Sequence, residues 1–100
     1  MPLFLINARD KANSLELRLA NRENHLQWAG GFADRIAMAG PVLGPDGETM
    51  AGSTFVIEFD DLAAAQAWAA EDPYAKAGLF EQTEIIPFLW LIGDGPSNDG

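Results

Sequence analysis

The sequence contains no cysteine. That single absence removes thiolate nucleophiles, disulfide frameworks, zinc ribbons and iron–sulfur ligation together. Histidine is nearly absent as well: His25 is the only one, and with scattered acids it forms no metal-ligand spacing, so no metal is expected. HExxH, GxSxG, P-loop and GxGxxG patterns are all missing, and no cofactor is expected either. No run of 18 or more apolar residues is present to span a bilayer. The opening Met1-Pro2-Leu3-Phe4-Leu5-Ile6 lacks the basic region and long apolar core of a signal peptide, so a soluble, cytoplasmic protein is expected, with no membrane partner.

Basic charge is also scarce. Six Lys and Arg stand against fifteen Asp and Glu, for a formal charge of −9. Five of the six basic residues lie between Arg9 and Arg35, and the second half has only Lys76 against nine acids. A nucleic-acid partner needs a basic face that displaces counterions from phosphates, and none is offered. A small anion is compatible, because Arg18, Arg22 and His25 fall together in the basic portion. Otherwise the acidity serves solubility.

What is present is enough for one core. One hundred residues at 48% hydrophobic content suit a single domain without staples. Leu3 to Ala8 is a short apolar run and reads as a buried strand. Asn13 followed by Glu16 has the form of a capping box. Leu15, Leu19, Leu26 and Ala29 then recur at helical spacing until Gly30-Gly31, which predicts a first helix. Ile36 to Gly40-Pro41, the turn residues Gly44-Pro45-Asp46-Gly47, and Gly52 to Phe59 read as a hairpin.

Asp60-Asp61 offers an N-cap for an Ala-rich second helix, Leu62 to Glu71, which stops near Asp72 because Pro73 disfavours helix before it. Phe80 to Ile92 reads as the last strand, with Pro87 at a bulge or an unpaired edge. Residues 94–100 are too polar to pack and are expected to form a disordered tail beyond a domain of 1–93.

The order βαββαβ predicts a ferredoxin-like α+β domain: a four-stranded antiparallel sheet with two helices on one face. Ile85, Ile86, Phe88, Leu89, Trp90 and Leu91 cannot all face two short helices, which predicts a second subunit over the other face and hence a homodimer. Trp28, Trp68 and Trp90 are expected in the core or that interface.

The chemistry-bearing residues are few. His25 falls seven positions after Arg18, on the same flank of the leucine stripe. Its position alone fits either a structural residue or an acid–base group working near neutral pH. Asp72, held extended before Pro73, is either a helix breaker or a rigidly presented carboxylate that could orient an imidazole. Gly52-Ser53 is either hairpin chemistry or a place where ligand meets backbone, Ser53 offering both a donor and an acceptor.

Several stretches together resemble the YciI-like (YCII-related) family. They are Leu15-Glu16-Leu17-Arg18 with His25-Leu26, Ala39-Gly40-Pro41, Gly52-Ser53, Ala64-Ala65, the run Asp72-Pro73-Tyr74-Ala75-Lys76-Ala77-Gly78-Leu79, and Glu84-Ile85 before an aromatic strand. The resemblance implies a ferredoxin-like fold, dimers that close their sheets face to face in an α+β barrel, and a cleft whose proposed catalytic pair is His25 and Asp72. It also implies that Arg18, Ser53 and Tyr74 bind substrate. The expected function is a small cofactor-free enzyme of lyase or isomerase type acting on a small cyclic or aromatic molecule. The alternatives are a non-catalytic small-molecule-binding or accessory module, and a cofactor-independent oxygenase like other dimeric α+β barrels.

Overall fold

Leu3–Asp10 forms the first strand, β1, in the computed structural model, which describes residues 2–93. The tail expected at 94–100 lies outside the described residues. Phe4, Ile6 and Ala8 of β1 are buried, while the alternate Leu3, Leu5 and Asn7 are half-buried, as the two-residue period of a pleated strand requires. There follow α1 (Leu15–Gly30), β2 (Ile36–Leu43), β3 (Met50–Glu58), α2 (Leu62–Ala70), a one-turn α3 (Pro73–Lys76) and β4 (Phe80–Phe88). The strands stand in the order β2-β3-β1-β4, antiparallel throughout. This is the ferredoxin-like α+β arrangement, with α3 added.

Register assigns the two faces. Phe4, Ile6 and Ala8 lie opposite Ile57, Phe55 and Ser53 of β3 and opposite Pro87, Ile85 and Thr83 of β4. Phe4, Ile6, Phe55 and Ile57 join Phe59, Ala65 and Trp68 in the core, with Trp28, Phe32 and Ile85 packed against them. Trp28 stacks on Trp68 at 4.2 Å between centroids, and Phe55 meets Trp68 edge-on at 5.0 Å. The edge-on contact suits the aromatic quadrupoles. Trp90 stands outside this cluster, its indole donating to the Gly93 carbonyl.

The apolar stripe read from α1 does not face the core. Leu15, Leu19 and Leu26 are exposed, and the buried residues of the helix are Arg18 and His25. Arg18, Asn21, His25 and Trp28 recur at i, i+3, i+7 and i+10, which is itself one helical face. At about 100° per residue the leucines are centred roughly 120° around the axis from the middle of that face. The helix therefore turns a polar face inward because Asp10, Ser53 and Asp72 wait there to satisfy it.

Smaller corrections have local causes. The expected capping box is replaced by a turn: Asn13 takes φ 59°, Ser14 is the N-cap with no side-chain capping bond, and its hydroxyl donates to the Ala12 carbonyl instead. Asparagine tolerates that left-handed region. Asp61 does cap α2, accepting from the Ala64 N–H at 2.8 Å. β4 stops at Phe88 rather than Ile92 because Phe88 pairs with Leu3, the first residue of its only neighbour among the described residues. Pro87 sits in this edge strand, where a missing donor is tolerated.

On the other face, Met38, Val42, Ile86 and Phe88 are exposed. Among the described residues, no helix is long and apolar enough to cross a membrane.

Two predictions follow from the β2–β3 hairpin. A Cβ at Gly52 would press into the Ala8 carbonyl oxygen of the central strand, so Gly52→Ala is expected to cost about 1–3 kcal/mol and lower the melting temperature by at least ~4 °C. An unchanged thermal melt would contradict that packing. In the turn, Asp46 is held down at about 2, first by the Thr49 hydroxyl at 2.6 Å and then by the Thr49 and Glu48 N–H groups. A depressed carboxyl stabilises the turn above its ordinary 3.8 and loses that contribution as pH falls through about 2. The Glu48 and Thr49 amide resonances should move with a midpoint near 2, and Thr49→Val should bring that midpoint upward.

Candidate functional site

Arg18 enters from α1, one turn past its start, and meets the end of β1. Its Nε donates to Asp10 Oδ2 at 2.7 Å and its Nη2 donates to Asp10 Oδ1 at 2.9 Å. This two-point geometry is available to a guanidinium and not to an ammonium. Nη2 also donates to Ser53 Oγ at 2.9 Å. Arg18 is 2% exposed. Burial works to lower its pKa, but the hydrogen bond and charge of Asp10, together with those of Tyr74, outweigh burial and hold the guanidinium above its ordinary value. Because Ser53 accepts from Arg18, its own O–H remains free to donate elsewhere.

His25 lies two turns further along α1, about 10.5 Å along the axis. Its Nδ1 is 2.8 Å from Asp72 Oδ1. The same oxygen accepts the Tyr74 N–H at 2.9 Å, which makes Asp72 the N-cap of α3. An oxygen that already accepts from an amide is an acceptor for the imidazole too, so in the neutral ring Nδ1 carries the hydrogen and Nε2 keeps its lone pair. Pro73 fixes this arrangement: it keeps Asp72 extended at φ −57° and ψ 125° and starts the following helix without needing a donor of its own.

Tyr74 fills the interval between the two basic residues. Its ring stacks on His25 at 4.0 Å with planes 16° apart, and the Arg18 Cζ lies 4.5 Å from its centroid. The side chain is 1% exposed. Burial raises the phenol pKa, with Arg18 and Arg22 pulling against it, so the hydroxyl stays neutral around pH 7.

These side chains bound a cavity of about 140 Å³, lined by Arg18, Arg22, His25, Ser53 and Tyr74 with apolar walls from Leu26, Ala29, Pro41, Met50 and Phe55. Gly40-Pro41 lies opposite Thr54 and Ser53 across β2–β3, which places that pair at the cavity wall. A broader depression of about 760 Å³ runs over Trp28 and Trp68 but touches none of Arg18, His25 or Ser53. The smaller cavity is the one on which Arg18, His25, Ser53 and Tyr74 converge. Among the described residues, no group of three or more His, Asp or Glu is placed to hold a metal ion.

All five site residues named from the sequence meet here: His25 and Asp72 in contact, Arg18 on Ser53, and Tyr74 against both His25 and Arg18. Asp10 was not anticipated. Its partner is eight residues away across an irregular turn, and no periodicity marks it. The cap role of Asp72 was also missed, although Pro73 directly after an aspartate was a usable signal.

The family model for the YCII-related domain matches residues 2–89. Protein YciI of Escherichia coli O6:H1 is 43% identical over 93 residues, covering 86% of this chain and 95% of that protein. Among solved structures, the 5-chloro-2-hydroxyhydroquinone dehydrochlorinase from Burkholderia phenoliruptrix, in complex with 2,5-dihydroxybenzoquinone, superposes with a TM-score of 0.79 at 32% identity, covering 92% of this chain and 96% of that one. An antibiotic biosynthesis monooxygenase shares the fold at a TM-score of 0.54 and 10% identity, covering 92% of this chain and 100% of that one. With a family model spanning most of the chain and a relative at this identity, the chain belongs to the YCII-related domain family.

Proposed function

We propose that this chain is a small enzyme that moves a proton on a single-ring substrate, with His25 as the acid–base group and Asp72 as its orienting partner. The observation that carries the reading is the 2.8 Å contact between His25 Nδ1 and a buried Asp72 carboxylate. It commits one ring nitrogen and leaves the other for chemistry at the cavity. The aspartate also stabilises the imidazolium that forms once Nε2 has taken a proton. Elimination or isomerisation fits, because each relocates a proton and an electron pair and needs no redox centre. The dehydrochlorinase at 32% identity is an enzyme acting on a small hydroxylated ring, which supports this substrate class.

The remaining residues have supporting parts in the proposal. Ser53 donates its free hydroxyl to a substrate oxygen, and Arg18 supplies positive potential beside the developing charge. Tyr74, stacked on the imidazole, keeps the ring from rotating. The reaction then reads simply: Nε2 removes a proton from carbon or oxygen, the electron pair moves into the ring system, and a leaving group departs or a proton returns at another position.

Two tests apply. Chloride release from 5-chloro-2-hydroxyhydroquinone, and solvent deuterium exchange into 2,5-dihydroxybenzoquinone, are expected for the wild type and should fall by about 10²-fold or more in His25→Asn, with an unchanged circular dichroism spectrum. Wild-type rates in that variant would end the catalytic reading, and ligand binding without any turnover would point to a binding module instead.

We also infer a homodimer closed through the second face of the sheet, where Met38, Val42, Ile86 and Phe88 stand exposed and an apolar cover is needed. Light scattering should return twice 10.8 kDa for the wild type and the single value for Ile86→Lys. A monomeric wild type would remove the dimer from the account.

A further inference from the structure

The chain carries a formal charge of −9, yet among the described residues no Asp or Glu lines the cavity beside His25; its ionisable lining is Arg18, Arg22, His25 and Tyr74. Two of its basic groups are already matched, Arg18 by Asp10 and His25 by Asp72. Arg22 is not. It makes no ion pair or hydrogen bond with another described residue, and its own helix gives it no carboxylate. The positions three and four residues away are Arg18, Leu19, His25 and Leu26, the only ones that face it.

Arg22 lies one turn beyond Arg18, about 6 Å along the axis, and it is exposed while lining the cavity. It therefore stands at the mouth, and its charge reaches inward to the Tyr74 phenol. The space behind it has a definite size. About 140 Å³ is close to the roughly 150 Å³ that accepts one benzene molecule, and Leu26, Ala29, Pro41 and Phe55 give that space apolar walls.

We propose that this cavity selects anionic single-ring ligands, and that Arg22 makes the selection by pairing with the ligand's ionised group at the mouth while the ring lies against the apolar walls. A neutral ring would leave the arginine as it is in the free protein and gain only the apolar contacts. An anionic ring adds a charge-assisted hydrogen bond, and a guanidinium can form it at two points. The inference takes its site from the function proposed above and names the class of molecule that site admits. It does not depend on the proton transfer.

Benzoate and benzamide test it, since they have nearly the same shape and differ in charge. Each is titrated into the full-length protein while the His25 ring and the Arg22 and Ser53 amides are followed by NMR. Benzoate should bind about tenfold or more tightly than benzamide, perturb those signals, and lose its advantage as salt is raised. Arg22→Gln should bring the ratio to about twofold or less while benzamide affinity stays as in the wild type, the sign of an intact cavity. Arg22→Lys should keep most of the preference. Equal binding of the two probes, no binding of benzoate, perturbation confined to residues away from the cavity, or a preference that survives Arg22→Gln would each overturn the proposal. A preference without turnover would leave it standing and remove the enzymatic reading; turnover without the preference would do the reverse.

Discussion

The Asp72 carboxylate joins three parts of the molecule that would otherwise be independent. One of its oxygens accepts both the Tyr74 N–H and the His25 Nδ1, so the start of α3, the orientation of the imidazole and the docking of α1 are fixed by the same atom. The group is 3% exposed. Removing one partner from a buried charged contact costs more than the contact contributes, because the survivor is left desolvated. The arrangement is therefore cooperative: Pro73 fixes Asp72, Asp72 fixes His25, and His25 with Arg18 sets the face that α1 turns inward.

That inward face explains the architecture around the cavity. A helix that buried only leucines would pack flat on the sheet and leave no space between them. Arg18 and His25 instead reach partners on β1, β3 and the α2–α3 joint, and Tyr74 occupies the gap between them. The apolar core is displaced to one end, around Trp28, Trp68, Phe55 and Phe59. The other end is a polar network with a cavity one ring in size.

Much of this was legible in the sequence, for identifiable reasons. Element order followed from strong local signals: Gly30-Gly31 after α1, Asp61 before α2, Pro73 after it, and the turn residues between β2 and β3. The inward face of α1 was not legible, because the usual reading takes the apolar stripe as buried, and here Leu15, Leu19 and Leu26 are exposed while the inward face has buried Arg18 and His25 with half-buried Asn21 and Trp28. Asp10 was invisible because a side-chain pair across an irregular turn has no periodic mark. The one-turn α3 was too short to show in any pattern, although Asp72-Pro73 held its start. The family resemblance pointed to His25, Asp72, Arg18, Ser53 and Tyr74; the residues by themselves left each of them open.

The central claim is that Asp72 holds His25 in the tautomer that keeps Nε2 unprotonated at the cavity. A long-range proton–nitrogen correlation spectrum of the single imidazole, recorded on the uniformly labelled protein at a pH where the ring is neutral, reads the tautomer directly. The account predicts hydrogen on Nδ1 and a nitrogen shift at Nε2 characteristic of a free lone pair. Hydrogen on Nε2, or an even mixture of the two forms, would contradict it.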